Sequence, residues 1–120
     1  MLRINAARTI YMKSIVGKWK ILEMSMWDRD FIDLIEPGRI EFNDNGLGQL
    51  VFGAIYAEID YRLSELNQAH LVEFSFDGID DGDPVSGRVK LVLEGDKMRG
   101  KIFFHCGDES ELVAQKPNQQ

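Results

Sequence analysis

Three groupings of residues have the types and the spacing for chemistry. His105 and Cys106 are adjacent, and an imidazole beside a thiol is the pair that makes a cysteine nucleophile. Glu58, Asp60 and Glu73 are carboxylates on neighbouring segments, the arrangement that acid–base chemistry uses. Asp77, Asp80, Asp81 and Asp83 crowd into the stretch DGIDDGDP, and clustered carboxylates suit a hard cation such as Ca²⁺, which takes about six to eight oxygens.

The surroundings argue each one down. His105 and Cys106 fall at the end of an extended run, where successive side chains point to opposite sides, so they cannot activate one another. A buried or half-buried thiol at a turn is the plainer expectation for Cys106. Glu58, Asp60 and Glu73 alternate with apolar residues. They read as an outer face, ion-paired across strands with Arg88 and Lys90, beyond which lie Arg99, Lys101 and His105. The aspartate run lacks the Asp-x-Asp-x-Asp-Gly pattern and the distant Glu of an EF-hand, and Asp and Gly fill ordinary loops by making their own turns. Elsewhere there is no nucleophile elbow, phosphate loop or His-rich ligand spacing. No catalytic residue, metal site or cofactor is expected, and a non-enzymatic role follows.

The elements that would carry these residues are strands. VGKWKILE puts Gly17, Trp19 and Ile21 on one face. RIEFNDNG sets Ile40 and Phe42 against Arg39 and Glu41 before the hairpin signal Asn45-Gly46. Leu50 and Phe52 follow, then Ile59, Tyr61 and Leu63 in AIYAEIDYRLSE, with a turn placed at Ala54–Ala57. Val72, Phe74 and Phe76, then Val89, Leu91 and Leu93, then Ile102 and Phe104 continue the alternation, and SELVAQK ends it. Between the first two runs, Trp27, Phe31, Leu34 and Ile35 recur at helical spacing and Pro37-Gly38 stops them, which predicts an amphipathic helix of about two turns. Eight short antiparallel strands with hairpin-length loops predict an all-β, eight-stranded up-and-down barrel with one short helix after the first strand.

Of 120 residues, 44% are apolar and 28% charged, with a net charge of −6. That is one globular domain. It argues against nucleic acid or an anionic membrane as partner, since phosphates demand clustered cations. Residues 1–22 carry five cations and no carboxylate, leaving nine cations against twenty carboxylates in the remainder. Residues 1–14 are read as a poorly ordered leader without a signal-peptide core, with Met12 as an alternative start. Residues 15–116 are the domain and 117–120 a polar tail. A single cysteine excludes an intrachain disulfide and, with no signal peptide or apolar span, points to the cytoplasm.

Gly17-Lys18-Trp19-Lys20 on the first strand, a helical segment directly after it and a meander of hairpins resemble the calycin superfamily of lipocalins, avidins and fatty-acid-binding proteins. The resemblance covers about Val16 to Gln115 and rests on one short motif. It implies a barrel with Trp19 at its floor and one small apolar or amphipathic ligand inside. The Arg-x-Tyr clamp of fatty-acid-binding proteins is missing from Glu111-Leu112-Val113-Ala114-Gln115, and Lys116 stands where lipocalins tend to carry an arginine. A cavity would be lined by Trp19, Trp27, Phe42, Phe52, Tyr61, Phe74 and Phe104, with the Tyr61 hydroxyl as a polar handle. An eight-stranded barrel can equally be filled by its side chains. The alternative is therefore a solid barrel acting as a protein-interaction or self-association module, whose partner sees Trp27 and the acidic loop.

Overall fold

The computed structural model describes residues 14–117. Residues 1–13 of the expected leader, Met12 among them, and residues 118–120 of the tail lie outside that range.

Eight strands form: β1 (Gly17–Met24), β2 (Arg39–Phe42), β3 (Leu47–Phe52), β4 (Ile55–Leu66), β5 (Ala69–Asp80), β6 (Asp83–Glu94), β7 (Lys97–Phe104) and β8 (Glu109–Gln115), with helix α1 (Arg29–Ile32) between β1 and β2. Each strand pairs antiparallel with the next. β8 returns to β1, with Lys20 opposite Gln115, and closes the barrel. Residues of the alternating apolar face point inward. Trp19, Ile21, Ile40, Phe42, Leu50, Phe52, Ile59, Tyr61, Val72, Phe74, Phe76, Leu91 and Ile102 are all buried, and half-buried Phe104 packs against them. Their removal from water is the main force holding the barrel together.

Tight closure needs bare backbone where strands cross closely. A methyl group on Gly48 would strike the Glu41 carbonyl, and one on Gly100 the Lys90 carbonyl. Val51 and Val113 are buried as well, although they alternate with the inward residues. Val51 lies between Arg39 and Tyr56 in the ladder, and Val113 between Glu23 and Arg99. Long polar side chains can cover such outer-face positions with their apolar stems.

Several expectations change. The turn placed at Ala54–Ala57 is a two-residue turn at Gly53–Ala54, and Ile55 already belongs to β4. β4, β5 and β6 are each 12 residues long, longer than the sequence pattern suggested. The acidic stretch is no loop: Asp77 and Asp80 sit on β5 and Asp83 on β6, joined by a tight turn at Asp81–Gly82, where both φ angles are positive. The expected two-turn helix is a single turn. It buries Ile32 and leaves Phe31, Leu34 and Ile35 exposed. Helical spacing continued past Ile32, but Asp33 takes the Gly38 N–H at 2.8 Å and stops the helix before Pro37.

β1 and β8 shift register between Ile21 and Glu23. Such a bulge takes carbonyls out of the ladder, and a guanidinium stands against them here. Arg29 donates to the Ile21 carbonyl at 2.7 Å and also to that of Leu22.

Candidate functional site

The seven rings named from the sequence divide between the two ends of the barrel. At the end carrying the β2–β3 turn, Phe42 meets Tyr61 edge-on at 5.1 Å and Phe74 at 5.9 Å. The Tyr61 hydroxyl donates to the Asn43 carbonyl, so the polar handle is engaged within the fold, and burial pushes its pKa upward. Trp19 points toward the same end, its indole N–H donating to the Ile15 carbonyl at 2.8 Å. Lys116 Nζ donates to the carbonyls of Ser14 and Val16 at 3.0 Å and ties down the chain entering β1.

The other end gathers α1 and the turns β3–β4, β5–β6 and β7–β8. Trp27 stacks on Phe31 at 5.7 Å, tilts against Phe52 at 5.4 Å and meets Phe104 edge-on at 5.9 Å. Phe76 meets Phe104 at 5.4 Å. Neither Phe31 nor Phe76 was among the sequence-named site residues. Phe76 stood on the same inward face as Phe74, which was the available signal. Phe31 was named only as part of the apolar stripe of a helix, and its ring lies over Gly53. A side chain at Gly53 would have its first carbon only 2.8 Å from that ring. The Gly53 N–H also donates to the Ile32 carbonyl at 3.1 Å, which seats α1 on the β3–β4 turn.

This end is a cap whose outer surface is apolar. Met26 is 51% exposed, Phe31 38%, and Leu34 and Ile35 59% each, beside half-buried Trp27. The segment presenting them is fastened at several points. Asp28 caps α1 by accepting from the Phe31 N–H at 2.9 Å. Asp33 accepts from Arg29 and from the Gly38 N–H, and the Gly38 bond, with help from Arg29, holds its carboxyl below the usual range. Glu36 accepts from the Tyr56 hydroxyl and, at 2.8 Å, from Arg39. Tyr56 and then Arg39 lower its pKa, while Glu36 raises that of Tyr56. Arg39 also reaches Glu41 at 2.9 Å.

The other sequence-named groups do not come together. His105 and Cys106 lie in the β7–β8 turn rather than on the strand, and Cys106, with φ of +57°, is exposed rather than buried. Among the described residues, no ion pair within 4.0 Å joins Glu58, Asp60 or Glu73 to Arg88 or Lys90; Asp60 pairs with Arg62 on its own strand. Glu73 and Lys90 stand opposite each other in the ladder, and a surface pair of this kind gains too little to hold two flexible side chains together. No group of three or more His, Cys, Asp or Glu side chains among the described residues is placed to hold a metal ion. An outer groove of about 480 Å³ opens over β1, β8 and β7, between Glu23, Arg99, Lys101 and Val113.

Fold and cap together define a closed, eight-stranded antiparallel barrel with an apolar lid at one end. No family model matches the chain, and neither a curated protein nor a solved structure matches it. No helix among the described residues is long and apolar enough to cross a membrane.

Proposed function

We propose that this chain is a solid β-barrel that acts as a self-associating interaction module, docking through the cap of Met26, Trp27, Phe31, Leu34 and Ile35. The observation that carries this reading is the exposure of four large apolar side chains on one ten-residue stretch. An apolar surface of this kind marks a contact site more often than idle surface. Six of the seven rings that would line a ligand cavity, all but Trp19, contact another of them at 5.1–6.4 Å between centroids, and the Tyr61 hydroxyl is spent on Asn43. Both facts favour the filled interior over one that holds a small apolar ligand.

A calycin-like ancestry belongs to the same proposal. It is supported by Gly17-x-Trp19 opening β1, by the buried indole of Trp19 and by α1 directly after β1; Lys116, in place of an arginine on that tryptophan, bonds the Ser14 and Val16 carbonyls and departs from the pattern. A cytoplasmic setting is proposed from the single, unpaired cysteine.

The test is native mass spectrometry with sedimentation of wild type and a Leu34→Ser/Ile35→Ser variant. Wild type is expected to carry no small molecule and to gain mass with concentration. The variant, with an unchanged melting temperature, is expected to stay monomeric. A bound small molecule released on denaturation would overturn the reading.

A further inference from the structure

Asn45 alone of the five asparagines precedes a glycine, and that pairing carries a covalent chemistry of its own. The backbone nitrogen of the following residue can attack the side-chain amide carbon, and glycine leaves that nitrogen unshielded because it has no Cβ. In the β2–β3 turn Asn45 is exposed and Gly46 half-exposed, and a side chain at Gly46 would meet nothing within 4 Å. The Leu47 N–H donates to Asn45 Oδ1 at 3.1 Å. A donor on that oxygen stabilises the negative charge that gathers there during attack.

The turn is held against this reaction, and one residue supplies most of the hold. Tyr61 donates its backbone N–H to the Gly46 carbonyl at 2.9 Å and its hydroxyl to the Asn43 carbonyl. The Gly46 N–H faces the same hydroxyl oxygen. The hydroxyl therefore stands between the carbonyl and the N–H that a tight turn ordinarily joins directly. Tyr61 is itself fixed: it is buried, stands opposite Phe74 in the ladder and meets the Phe42 ring edge-on at 5.1 Å. The Asn43 N–H adds a bond to the Leu47 carbonyl at 2.8 Å. Attack requires the Gly46 nitrogen to close on the Asn45 side chain and give up its proton, and both mean leaving Tyr61.

We propose that Asn45 is a deamidation site guarded by Tyr61, so that reaction proceeds only through openings of the β2–β3 turn. The Gly46 nitrogen loses its proton to solvent base and bonds to Asn45 Cγ. The Cγ–Nδ2 bond breaks and, with a proton from water, ammonia leaves a cyclic succinimide. Water then opens the ring at either carbonyl, giving aspartate, or isoaspartate in which the chain runs through the side-chain carbon. Isoaspartate lengthens the backbone inside the turn, and the bonds from Tyr61 to Asn43 and Gly46 no longer fit together. Either product sets a new carboxylate beside Asp44. A passing local opening thus becomes permanent.

The experiment follows full-length wild type, Tyr61→Phe and Asn45→Gln over time in mildly alkaline buffer, native and in urea, with a melting curve for each native sample. Peptide mapping by mass spectrometry reads the amide-to-acid mass gain at residue 45, and chromatography separates isoaspartate from aspartate. Wild type should react slowly when native and much faster in urea. Native Tyr61→Phe should react about two- to tenfold faster than native wild type, the change in opening that one hydrogen bond controls. In urea the two should react alike, which separates a lost restraint from altered reactivity. Asn45→Gln should show no mass gain. Hydrogen exchange on wild type tests the same point without substitution: the Gly46 and Leu47 amides should open with the same dependence on dilute urea as the deamidation rate. If wild type reacts as fast native as in urea, the turn gives no protection and the inference falls. If folded Tyr61→Phe matches native wild type, or deamidation ignores the opening that exchange reports, Tyr61 is not the guard. If Asn45 stays intact in urea, it is not a deamidation site.

Discussion

The Arg29 guanidinium donates to the Ile21 carbonyl at 2.7 Å, across the bulge that interrupts the β1–β8 ladder. One side chain on α1 thus supplies the donors that the strand lost, and its other nitrogen holds Asp33 at 3.1 Å. Arg29→Met is expected to cost about 1–3 kcal/mol, the range for losing hydrogen bonds from a charged donor. Urea denaturation reads the loss, and Trp27 emission should shift to the red as the cap loosens. An unchanged midpoint would mean that water replaces the guanidinium at no cost.

Acid should weaken the cap in a definite direction. The folded-state pKa values of Asp33 and Glu36 are depressed, chiefly by the Gly38 N–H and by the Tyr56 hydroxyl respectively. A depressed carboxyl stabilises the fold above its unfolded pKa of about 4 and loses that contribution as pH falls through the lower folded value. Urea midpoints of wild type should therefore decline below about pH 4, and Asp33→Asn should decline less. Equal declines would remove Asp33 from the account.

Alkali addresses the tyrosines. Glu36 raises the pKa of Tyr56, and burial raises that of Tyr61. Absorbance at alkaline pH should show both hydroxyls ionising above the ordinary value of about 10. Tyr56→Phe and Tyr61→Phe should each delete one late-titrating group. Raised values stabilise the fold below the unfolded pKa and cease to do so as pH rises through the folded one, so both variants should narrow the gap from wild type at high pH.

Gly53→Ala sets a methyl against the Phe31 ring in a backbone with φ of +59°. Overpacking and left-handed strain together should destabilise the protein by about 1–3 kcal/mol. The exposure of Phe31, read by hydrogen exchange across α1, should rise. Gly46→Ala also has positive φ but open space around it, so it should alter the melting temperature less and leave α1 untouched.

Trp19→Ala should cost about 3–5 kcal/mol, as deletion of a buried ring does, because Trp19 is 1% exposed and its indole N–H holds Ile15. A chemical denaturation curve checks this. A cost under about 1 kcal/mol would mean that the floor of the barrel repacks.

The barrel was legible because its signal is local: Ile40 and Phe42 or Val72, Phe74 and Phe76 alternate cleanly, and Asn45-Gly46 marks a turn. The cap was not, because its geometry depends on distant partners. Nothing in MWDRDFIDLIEPG announces that Asp33 will cap Gly38, that Arg29 will answer a bulge, or that Phe31 will lie over Gly53. The spacing of Trp27, Phe31, Leu34 and Ile35 fits an inward helical face equally well, but the helix ends at Ile32, and Phe31, Leu34 and Ile35 are exposed. Asp81-Gly82 did carry a hairpin signal, hidden by the surrounding carboxylates. Cys106 required a left-handed turn that its own side chain does not advertise.

Seven of the eight strand pairings join neighbours along the chain, and only the pairing of β1 with β8 joins distant residues. That seam sets the order of folding, since hairpins can form early while closure waits for a loop of nearly the whole domain. Because Lys116 touches Ser14, the two ends of the domain are neighbours in space. Linking them and opening the exposed Asn67–Gln68 turn would make β1–β8 a local pairing and turn β4–β5 into the distant one. The same barrel would then be reached along a different route, with the slow step moved to the opposite wall.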